Sequence, residues 1–339
     1  MNERAGAAAP ICWVVSDGKV GMEVQCRGLA EAMGFDPVIK RIDVRRPWRW
    51  LPPHFNRAPL AHTTPDADAL APPWPDVLIA SGRQTIAMSI AIRRQSGGRT
   101  FTVQVQNPVV DPGHFDVVVA PRHDRLDAPN VVTTTGSLNR VTEARLAAAA
   151  AEFGPGLAHI PRPRIAVLIG GNSKVHRLSA VAARHLGEQL AALARRAALG
   201  LLVTPSRRTG DANNAILRQA LAGVPAEIWD GTGENPYYGY LALAETIVVT
   251  GDSVNMVCEA ATTGKPVYIV DLPGGSAKFR RFHATMRAEG ITRPFTGTPE
   301  HWDYVPLRDT QYAAGEILRR MAARSSGNPA SHAGAGQLD

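Results

Sequence analysis

The stretch VVTGDSVNMVCEAATTGKPVYIVDLPG, residues 248–274, decides the fold. It opens with an apolar run, turns at Gly251, has Glu259 as its only charge between Ser253 and Gly264, and then enters a second apolar run. A buried strand, a polar turn, a helix and another buried strand form the repeating unit of parallel α/β sheets. A glycine at the end of the helix is the usual C-terminal cap.

The same rhythm extends outward from this stretch in both directions. Apolar runs that end in Gly-containing or polar loops recur at 11–21, 76–84, 101–108, 164–173 and 199–208. GPGLAHIPRPR, residues 154–164, has the composition of a linker. We therefore expect an α/β protein with two Rossmann-like, doubly wound domains that face each other across a cleft. Its predicted parts are residues 1–155, residues 164–323 and a disordered tail at 324–339.

Composition narrows the function classes. The chain has 339 residues, 45% of them apolar, which excludes a disordered chain. Its 37 basic residues exceed its 30 acidic ones, a net charge of +7, and 32 of the bases are arginines. Because no block of five like charges occurs, we do not expect nucleic-acid binding. A dispersed excess instead suits an anionic substrate or an anionic membrane surface.

The cysteines and the apolar segments indicate a location. Cys12, Cys26 and Cys258 lie far apart without a CxxC motif, which argues for a reducing compartment and against a zinc site. The opening MNERAGAAAP has no apolar core of a signal peptide, and no apolar stretch reaches about 18 residues. The sequence therefore predicts a cytoplasmic protein, and the segment RRPWRWLPP at 45–53 allows either peripheral membrane contact or an ordinary exposed loop.

The second half carries the residues expected to bind phosphate. Ligands of open parallel sheets bind beyond the carboxyl ends of the strands, where helix N-termini favour anions. Glu259 lies two turns into the helix predicted after residue 253. Its carboxylate either accepts hydrogen bonds from ligand hydroxyls or is an ordinary exposed helical glutamate. The strand-end loops could instead be ordinary turns without a ligand, and the arginines at 207 and 208 could simply be solvated. The candidate residues at these strand ends are Gly170, Gly171, Ser173, Ser206, Arg207, Thr250, Gly251, Asp252 and Ser253.

The first half carries the residues expected to face an acceptor molecule. The loop SDGKVG, residues 16–21, matches neither GxGxxG nor GxxxxGK[ST], so the dinucleotide and P-loop interpretations fail on spacing. Amide and hydroxyl side chains at the other strand ends could bind sugar hydroxyls, although turn formation would also explain them. The candidates are Gly18, Gly21, Glu23, Ser81, Arg83, Gln106 and Asn107.

Two resemblances build on these residues. The segment with Thr250-Gly251, Glu259 and the later Gly-Lys-Pro resembles the donor-binding region of GT-B glycosyltransferases, such as the transferase of lipid II synthesis and lipid A disaccharide synthase. That resemblance implies that Glu259 binds ribose hydroxyls and that the loop at 170–173 faces a diphosphate. Nearly the whole chain further resembles the family named for the plant "elongated mitochondria" fission factor. The matching stretches include WVVSDGKVGMEVQCRGLAEAMG, LIGGNSKVHRLS, TPSRRTG and ENPYYGYLALAETIVVTGDSVNMVCEA.

One position departs from the glycosyltransferase pattern. Enzymes with a comparable first loop often have a histidine just after its last glycine, where this chain has Met22. Methionine cannot move a proton, and a positioned base contributes about 10²–10⁴-fold to a rate. Asp17 is the first candidate for a replacement base, with a simple turn aspartate as the alternative. Glu23, His123 and Asp124 are further candidates.

Three functions fit these observations. The first is a metal-independent transferase that uses a nucleotide-diphosphate sugar as substrate, with no other cofactor, and an acceptor that could be lipid-linked. The second is a non-catalytic adaptor that recruits a protein or membrane partner, as the plant members of the resembled family are described to do. The third is a nucleotide-sugar epimerase. Fold alone does not decide among them.

Overall fold

The computed structural model describes residues 9–56 and 58–326. The strands are β1 (Cys12–Ser16), β2 (Val38–Arg41), β3 (Val77–Ser81), β4 (Phe101–Val105), β5 (Val117–Pro121), β6 (Val131–Thr134), β7 (Arg164–Ile169), β8 (Gly200–Pro205), β9 (Ala226–Ile228), β10 (Thr246–Thr250), β11 (Val267–Val270) and β12 (Thr292–Pro294). The α-helices are α1 (Val20–Ala32), α2 (Arg83–Gln95), α3 (Glu143–Phe153), α4 (Ala180–Ala197), α5 (Asp211–Ala220), α6 (Tyr237–Leu243), α7 (Val254–Thr262), α8 (Ala277–Ala288) and α9 (Asp309–Ser326).

The chain divides into two compact units. Among the described residues, the first unit holds the chain up to Thr134 together with α9, and the second holds Thr135–Arg308. The linker expected at 154–164 therefore lies inside the second unit. Helix α3 belongs there because Leu146 and Phe153 pack on the same core as Leu157 and Ile160.

Helix α9 lies with the first unit, although the sequence placed it in the second domain. The guanidinium of Arg324, near the end of α9, contacts the carboxylate of Asp116 at 3.1 Å and lies over the ring of Phe101. The helix extends to Ser326, so the first three residues of the expected disordered tail are helical. The rest of that predicted tail lies outside the described residues.

The first unit is built on a parallel sheet in the order β2-β1-β3-β4-β5-β6. Strands β1, β3, β4 and β5 are buried along their whole length, which explains their continuous apolar runs. The chain moves outward from β1 to β2 and then returns to the other side of β1 as β3. The crevice beyond the carboxyl ends of β1 and β3 is therefore the switch point where open sheets bind ligands.

The second unit repeats this plan in the order β12-β11-β10-β7-β8-β9, again with parallel strands. Here the order reverses between β7 and β10, so the crevice lies beyond the ends of those two strands. The prediction of two doubly wound α/β units is confirmed. Strands β7 and β10 bear the loops at 170–173 and 251–253, which places two of the predicted phosphate-binding loops at the switch point.

The two tryptophans of the segment at 45–53 differ in their burial. Trp48 stacks on the ring of His62 with 4.2 Å between ring centroids and packs against the core. Trp50 is 60% exposed, and the guanidinium of Arg46 lies over its ring. Over the described part of the chain, no helix combines the length and the apolar character needed to cross a membrane.

Candidate functional site

The switch crevice of the second unit is closed by a carboxylate of the chain itself. Oδ2 of Asp252 accepts a hydrogen bond from the backbone N–H of Gly171 at 3.0 Å, and Oδ1 accepts one from the hydroxyl of Thr250 at 2.7 Å. That hydroxyl in turn accepts from the N–H of Gly170 at 2.7 Å. The guanidinium of Arg208 completes the group, 2.7 Å from Oδ2. The end of β7 is thereby tied to the end of β10.

This carboxylate and the backbone of Arg208 fill the space that the two glycines leave open. The side chain of Asp252 is fully buried. A Cβ added at Gly170 would lie 2.2 Å from its Oδ2, and one added at Gly171 would lie 2.2 Å from the carbonyl oxygen of Arg208. Glycine is required at both positions because protein atoms occupy the place of a side chain. An anion that approached the N–H of Gly171 would have to displace Asp252.

The hydroxyls predicted to bind phosphate are also engaged within the loops. Oγ of Ser173 accepts from the N–H of His176 at 3.0 Å, and Oγ of Ser206 donates to the carbonyl oxygen of Gly170 at 2.8 Å. Ser253 caps helix α7. Arg207 is exposed, and no hydrogen bond or ion pair of its side chain is described within residues 9–56 and 58–326. Of the predicted phosphate contacts, Arg207 is the charged group that remains available.

Glu259 is buried on helix α7. Its Oε2 accepts a hydrogen bond from the hydroxyl of Tyr237 at 2.6 Å, and no partner for Oε1 is described in the part of the chain that the structure covers. Burial raises the pKa of Glu259 to about 7, against an ordinary value of 4.5, although the Tyr237 hydroxyl lowers it. Burial, followed by the nearby Glu259 charge, raises the pKa of Tyr237 well above 10. The exposed-helix interpretation of Glu259 is therefore wrong.

The switch crevice of the first unit has different chemistry. The side chain of Asp17, just beyond β1, is fully buried, and its Oδ2 contacts the ammonium of Lys19. Its Oδ1 has no hydrogen-bond partner among the described residues. A Cβ at Gly82, beyond β3, would lie 3.1 Å from both Asp17 Oδ2 and the Met22 sulfur. Asp17, Met22 and Gly82 therefore meet at this crevice.

A cavity of about 500 Å³ lies beside these residues. The predicted acceptor-side residues Arg83, Gln106 and Asn107 line it, together with Met22 and Gly82. Two neighbouring strand residues, Ser81 and Gln104, are buried with a side-chain oxygen that has no partner in the described chain.

The other acceptor-side candidates have assigned contacts. The carboxylate of Glu23 forms two hydrogen bonds with the guanidinium of Arg41, at 2.8 and 3.0 Å, and these bonds lower its pKa. Gly18 has a φ of +78° and donates its N–H to Ser16 Oγ. Gly18, Gly21 and Glu23 are not among the residues that line the cavity.

Some contacts of these sites were not predicted from the sequence. Arg208 rather than its neighbour Arg207 holds Asp252, and a Tyr–Glu pair 22 positions apart gave no local signal. His176 and His283 are buried beside a separate cavity, and a lone histidine in a loop or on a helix has no distinguishing spacing. Across the described ranges, no group of three His, Cys, Asp or Glu could hold a metal ion.

The chain matches a known protein family over most of its length. The family model described as "Mitochondrial fission ELM1" matches residues 20–321. The chain belongs to the mitochondrial fission ELM1 family. This confirms the resemblance read from the sequence motifs at both switch crevices.

Two curated relatives show how far the likeness extends. The Arabidopsis thaliana mitochondrial fission protein ELM1 is 35% identical over 278 residues, which covers 74% of this chain and 65% of that protein. The chain thus spans less than two thirds of the plant relative's length. The Rickettsia prowazekii (strain Madrid E) protein RP120 is 26% identical over 285 residues, or 72% of this chain and 79% of that protein. This bacterial relative is thus matched over a larger share of its own length than the plant relative.

Solved structures confirm the GT-B-like fold. A putative UDP-N-acetylglucosamine 2-epimerase from Listeria monocytogenes superposes with a TM-score of 0.55 at 13% identity, covering 97% of this chain and 100% of that one. The Methanocaldococcus jannaschii UDP-GlcNAc 2-epimerase, in complex with UDP-GlcNAc and UDP, gives 0.52 at 11% identity, covering 92% and 99%. At such identities the likeness shows the fold alone.

Proposed function

We propose that the second unit binds a nucleotide-diphosphate sugar and that the protein transfers the sugar to an acceptor without a metal ion. The observation that carries the proposal is the Glu259–Tyr237 pair. A carboxylate buried on the helix after β10, with one oxygen held by a tyrosine and the other without a described partner, is suited to accept hydrogen bonds from ribose hydroxyls. The fold is shared with an epimerase solved with UDP-GlcNAc and UDP, which supports the class of ligand.

The phosphates would depend on groups that Asp252 does not already occupy. Arg207 is exposed near the end of β8 and carries a guanidinium, which can bind a phosphate through two hydrogen bonds. Helix α7 begins beside Ser253, and its N-terminus adds partial positive charge. Because these groups offset the charge of the leaving diphosphate, the transfer needs no metal in this scheme.

The acceptor would lie in the cavity of the first unit. Its apolar lining includes Pro52, Pro53 and Val110, and its polar lining includes Arg83 and Gln106, a mixture that suits an amphipathic, lipid-linked acceptor. Asp17 would be the base. A Cβ at Gly82 would lie 3.1 Å from both Asp17 Oδ2 and the Met22 sulfur, so Met22, which cannot move a proton, lies close to this candidate base. Peripheral membrane contact through the exposed Trp50 remains a prediction of the same scheme.

A non-catalytic adaptor is the second candidate, and one observation favours it. Two of the groups expected to bind phosphate at the crevice of the second unit, the Gly171 N–H and the Thr250 hydroxyl, are bonded to Asp252 instead. The plant relative is named for mitochondrial fission rather than for an enzymatic activity. An adaptor of this kind would keep the fold and recruit a protein or membrane partner through its surface.

Calorimetric titration with UDP, GDP, dTDP and CDP and their sugars tests the proposal. We expect one nucleotide series to bind and Glu259→Ala to weaken that binding about 10–100-fold, since a hydrogen bond to a charged group is lost. Glu188→Ala removes an exposed glutamate from helix α4 and should leave the affinity unchanged. If no nucleotide binds to the folded protein, the adaptor is favoured. Conversion of the donor without an acceptor would instead indicate an epimerase.

A further inference from the structure

A second cavity in the second unit, of about 260 Å³, lies between the end of β10 and helix α8. Two histidines, two arginines and one aspartate line it, with glycines at its edge. Apart from Gly251, none of its lining residues belongs to the predicted nucleotide site. The hydrogen-bonding state of the two histidines decides what it can bind.

His283 lines this cavity, and the hydrogen bond of its ring fixes which nitrogen can accept. Its Nε2 lies 2.7 Å from the carbonyl oxygen of Gly251, and because a carbonyl only accepts, Nε2 must carry the proton. Burial lowers the pKa of His283, more than the Gly251 carbonyl and Asp271 raise it, so the ring is neutral near pH 7. Nδ1 is therefore a lone-pair acceptor. It is buried and has no hydrogen-bond partner in the described chain.

His176 lies on the same cavity. Its ring packs edge-on against Phe279, with 4.6 Å between ring centroids, and it is 5% exposed. Its Nδ1 likewise has no partner among residues 9–56 and 58–326. A Cβ at Gly274 would lie 2.1 Å from the carbonyl oxygen of Val175, so only glycine lets the two loops approach. Both nitrogens belong to residues that line this cavity, and a bound hydrogen-bond donor would satisfy them.

The charged groups at the rim define the rest of the ligand. Arg280 and Arg287 are exposed on helix α8, and no ion pair of either is described within the covered residues. The start of α8 adds partial positive charge. Asp271 is the acidic residue of the lining and repels a bare anion, but its carboxylate can accept from a hydroxyl. The lining residues thus combine arginines that can bind an anionic group with a carboxylate and histidine nitrogens that can accept hydrogen bonds from hydroxyls.

We propose that this cavity binds a hydroxylated anion of the sugar phosphate class, with a sugar hydroxyl donating to Nδ1 of His283 and the phosphate against Arg280 and the start of α8. That this cavity holds the sugar of a nucleotide-sugar donor rests on the proposed function. The recognition of a sugar phosphate itself depends only on the cavity.

Histidine NMR on the full-length chain tests this site with glucose 1-phosphate as the probe. His176→Gln and His283→Gln assign the two imidazole signals. Both signals should move saturably with glucose 1-phosphate, and much less with glucose or inorganic phosphate. Arg280→Gln should weaken the binding about tenfold, because one charged hydrogen bond is lost. Lys278→Gln lies on the same helix outside the lining and serves as the matched control.

The site is rejected if neither histidine signal responds to glucose 1-phosphate in the folded protein. It is also rejected if inorganic phosphate moves the signals as strongly, since the hydroxyl contact to His283 would then add nothing. A parallel titration with UDP separates the two proposals. UDP binding without a response to glucose 1-phosphate retains the proposed function and removes this site, whereas the reverse result retains the site alone.

Discussion

The two sheets reverse their strand order in the same way, yet their switch crevices differ. Beyond β7 and β10, Asp252 accepts hydrogen bonds from Gly171 and Thr250 and forms an ion pair with Arg208. Beyond β1 and β3, Asp17 Oδ1 and Ser81 Oγ are buried without partners in the described chain, and a cavity of about 500 Å³ lies alongside. One crevice satisfies its polar groups internally, and the other does not.

This difference changes how strand-end motifs are interpreted. Glycines and hydroxyls after a parallel strand are typical of phosphate sites, but in the second unit they serve a buried carboxylate of the same chain. A buried polar atom without a partner is the better indicator of a ligand, because leaving it unpaired is unfavourable unless something binds there. By that criterion the cavity of the first unit and the His176–His283 cavity are the stronger candidates.

The largest expected effect comes from a matched pair of aspartate substitutions. Asp252→Asn removes the charge that holds three donors in the closed crevice and should lower the free energy of unfolding by about 3–5 kcal/mol. Asp17→Asn should lower it by less than Asp252→Asn does, because one oxygen of the buried Asp17 carboxylate has no described partner and its ion-pair partner, Lys19, is largely exposed. Urea unfolding of both variants makes the comparison. Equal losses would show that the two crevices do not differ in this way.

A second expected effect is a pH dependence that belongs to Glu259. Its pKa in the folded chain, about 7, lies above the ordinary 4.5, so the folded chain keeps a proton that the unfolded chain releases between these values. The stabilisation is complete below the lower value and is lost as the pH rises through the higher one. Wild-type stability should fall by up to about 3 kcal/mol across this window.

Glu259→Gln isolates that contribution. The amide oxygen of glutamine can still accept from Tyr237, but the side chain does not ionise. The free energy of unfolding of the variant should therefore rise relative to that of the wild type between about pH 5 and about pH 8. Denaturant titrations at the two pH values provide the measurement. Parallel pH profiles for the wild type and the variant would show that Glu259 is ionised throughout and that its burial has little effect.

The smallest expected effect compares two strand-end hydroxyls. Thr250→Val leaves the Gly170 N–H and one oxygen of Asp252 without a partner and should destabilise the protein by about 1–3 kcal/mol. Ser81→Ala removes a buried hydroxyl that has no described partner and should be close to neutral. Thermal unfolding of the two variants is sufficient. A marked loss in Ser81→Ala would mean that this hydroxyl is already bonded in solution.

Much of the fold could be predicted from the sequence. Continuous apolar runs such as residues 164–169 and 246–250 are buried on both faces of a parallel sheet, and each run marks its strand. The unit boundary could not be predicted, because the Pro- and Gly-rich residues 154–164 look like a linker while Leu157 and Ile160 are buried in the second unit's core. The return of α9 depends on contacts such as Arg324 with Asp116, which no local pattern shows.

The candidate site could be predicted in position but not in chemistry. Strand-end motifs placed Gly170, Thr250 and Asp252 together at one edge of the sheet, as the structure shows. The sequence could not show that Asp252 would turn inward, since that follows from a 2.7 Å contact with Arg208 across 44 positions. Nor could it show that Tyr237 and Glu259 meet, because the pairing joins the first residue of α6 to a residue in the second half of α7.

A crystal structure of the chain with the best-bound nucleoside diphosphate tests the central proposal most directly. We expect a nucleotide on the second unit, with its ribose hydroxyls within hydrogen-bond distance of the Glu259 carboxylate and Tyr237 still bonded to Oε2. A nucleotide seated in the cavity of the first unit, or one on the second unit that makes no contact with Glu259, would contradict it.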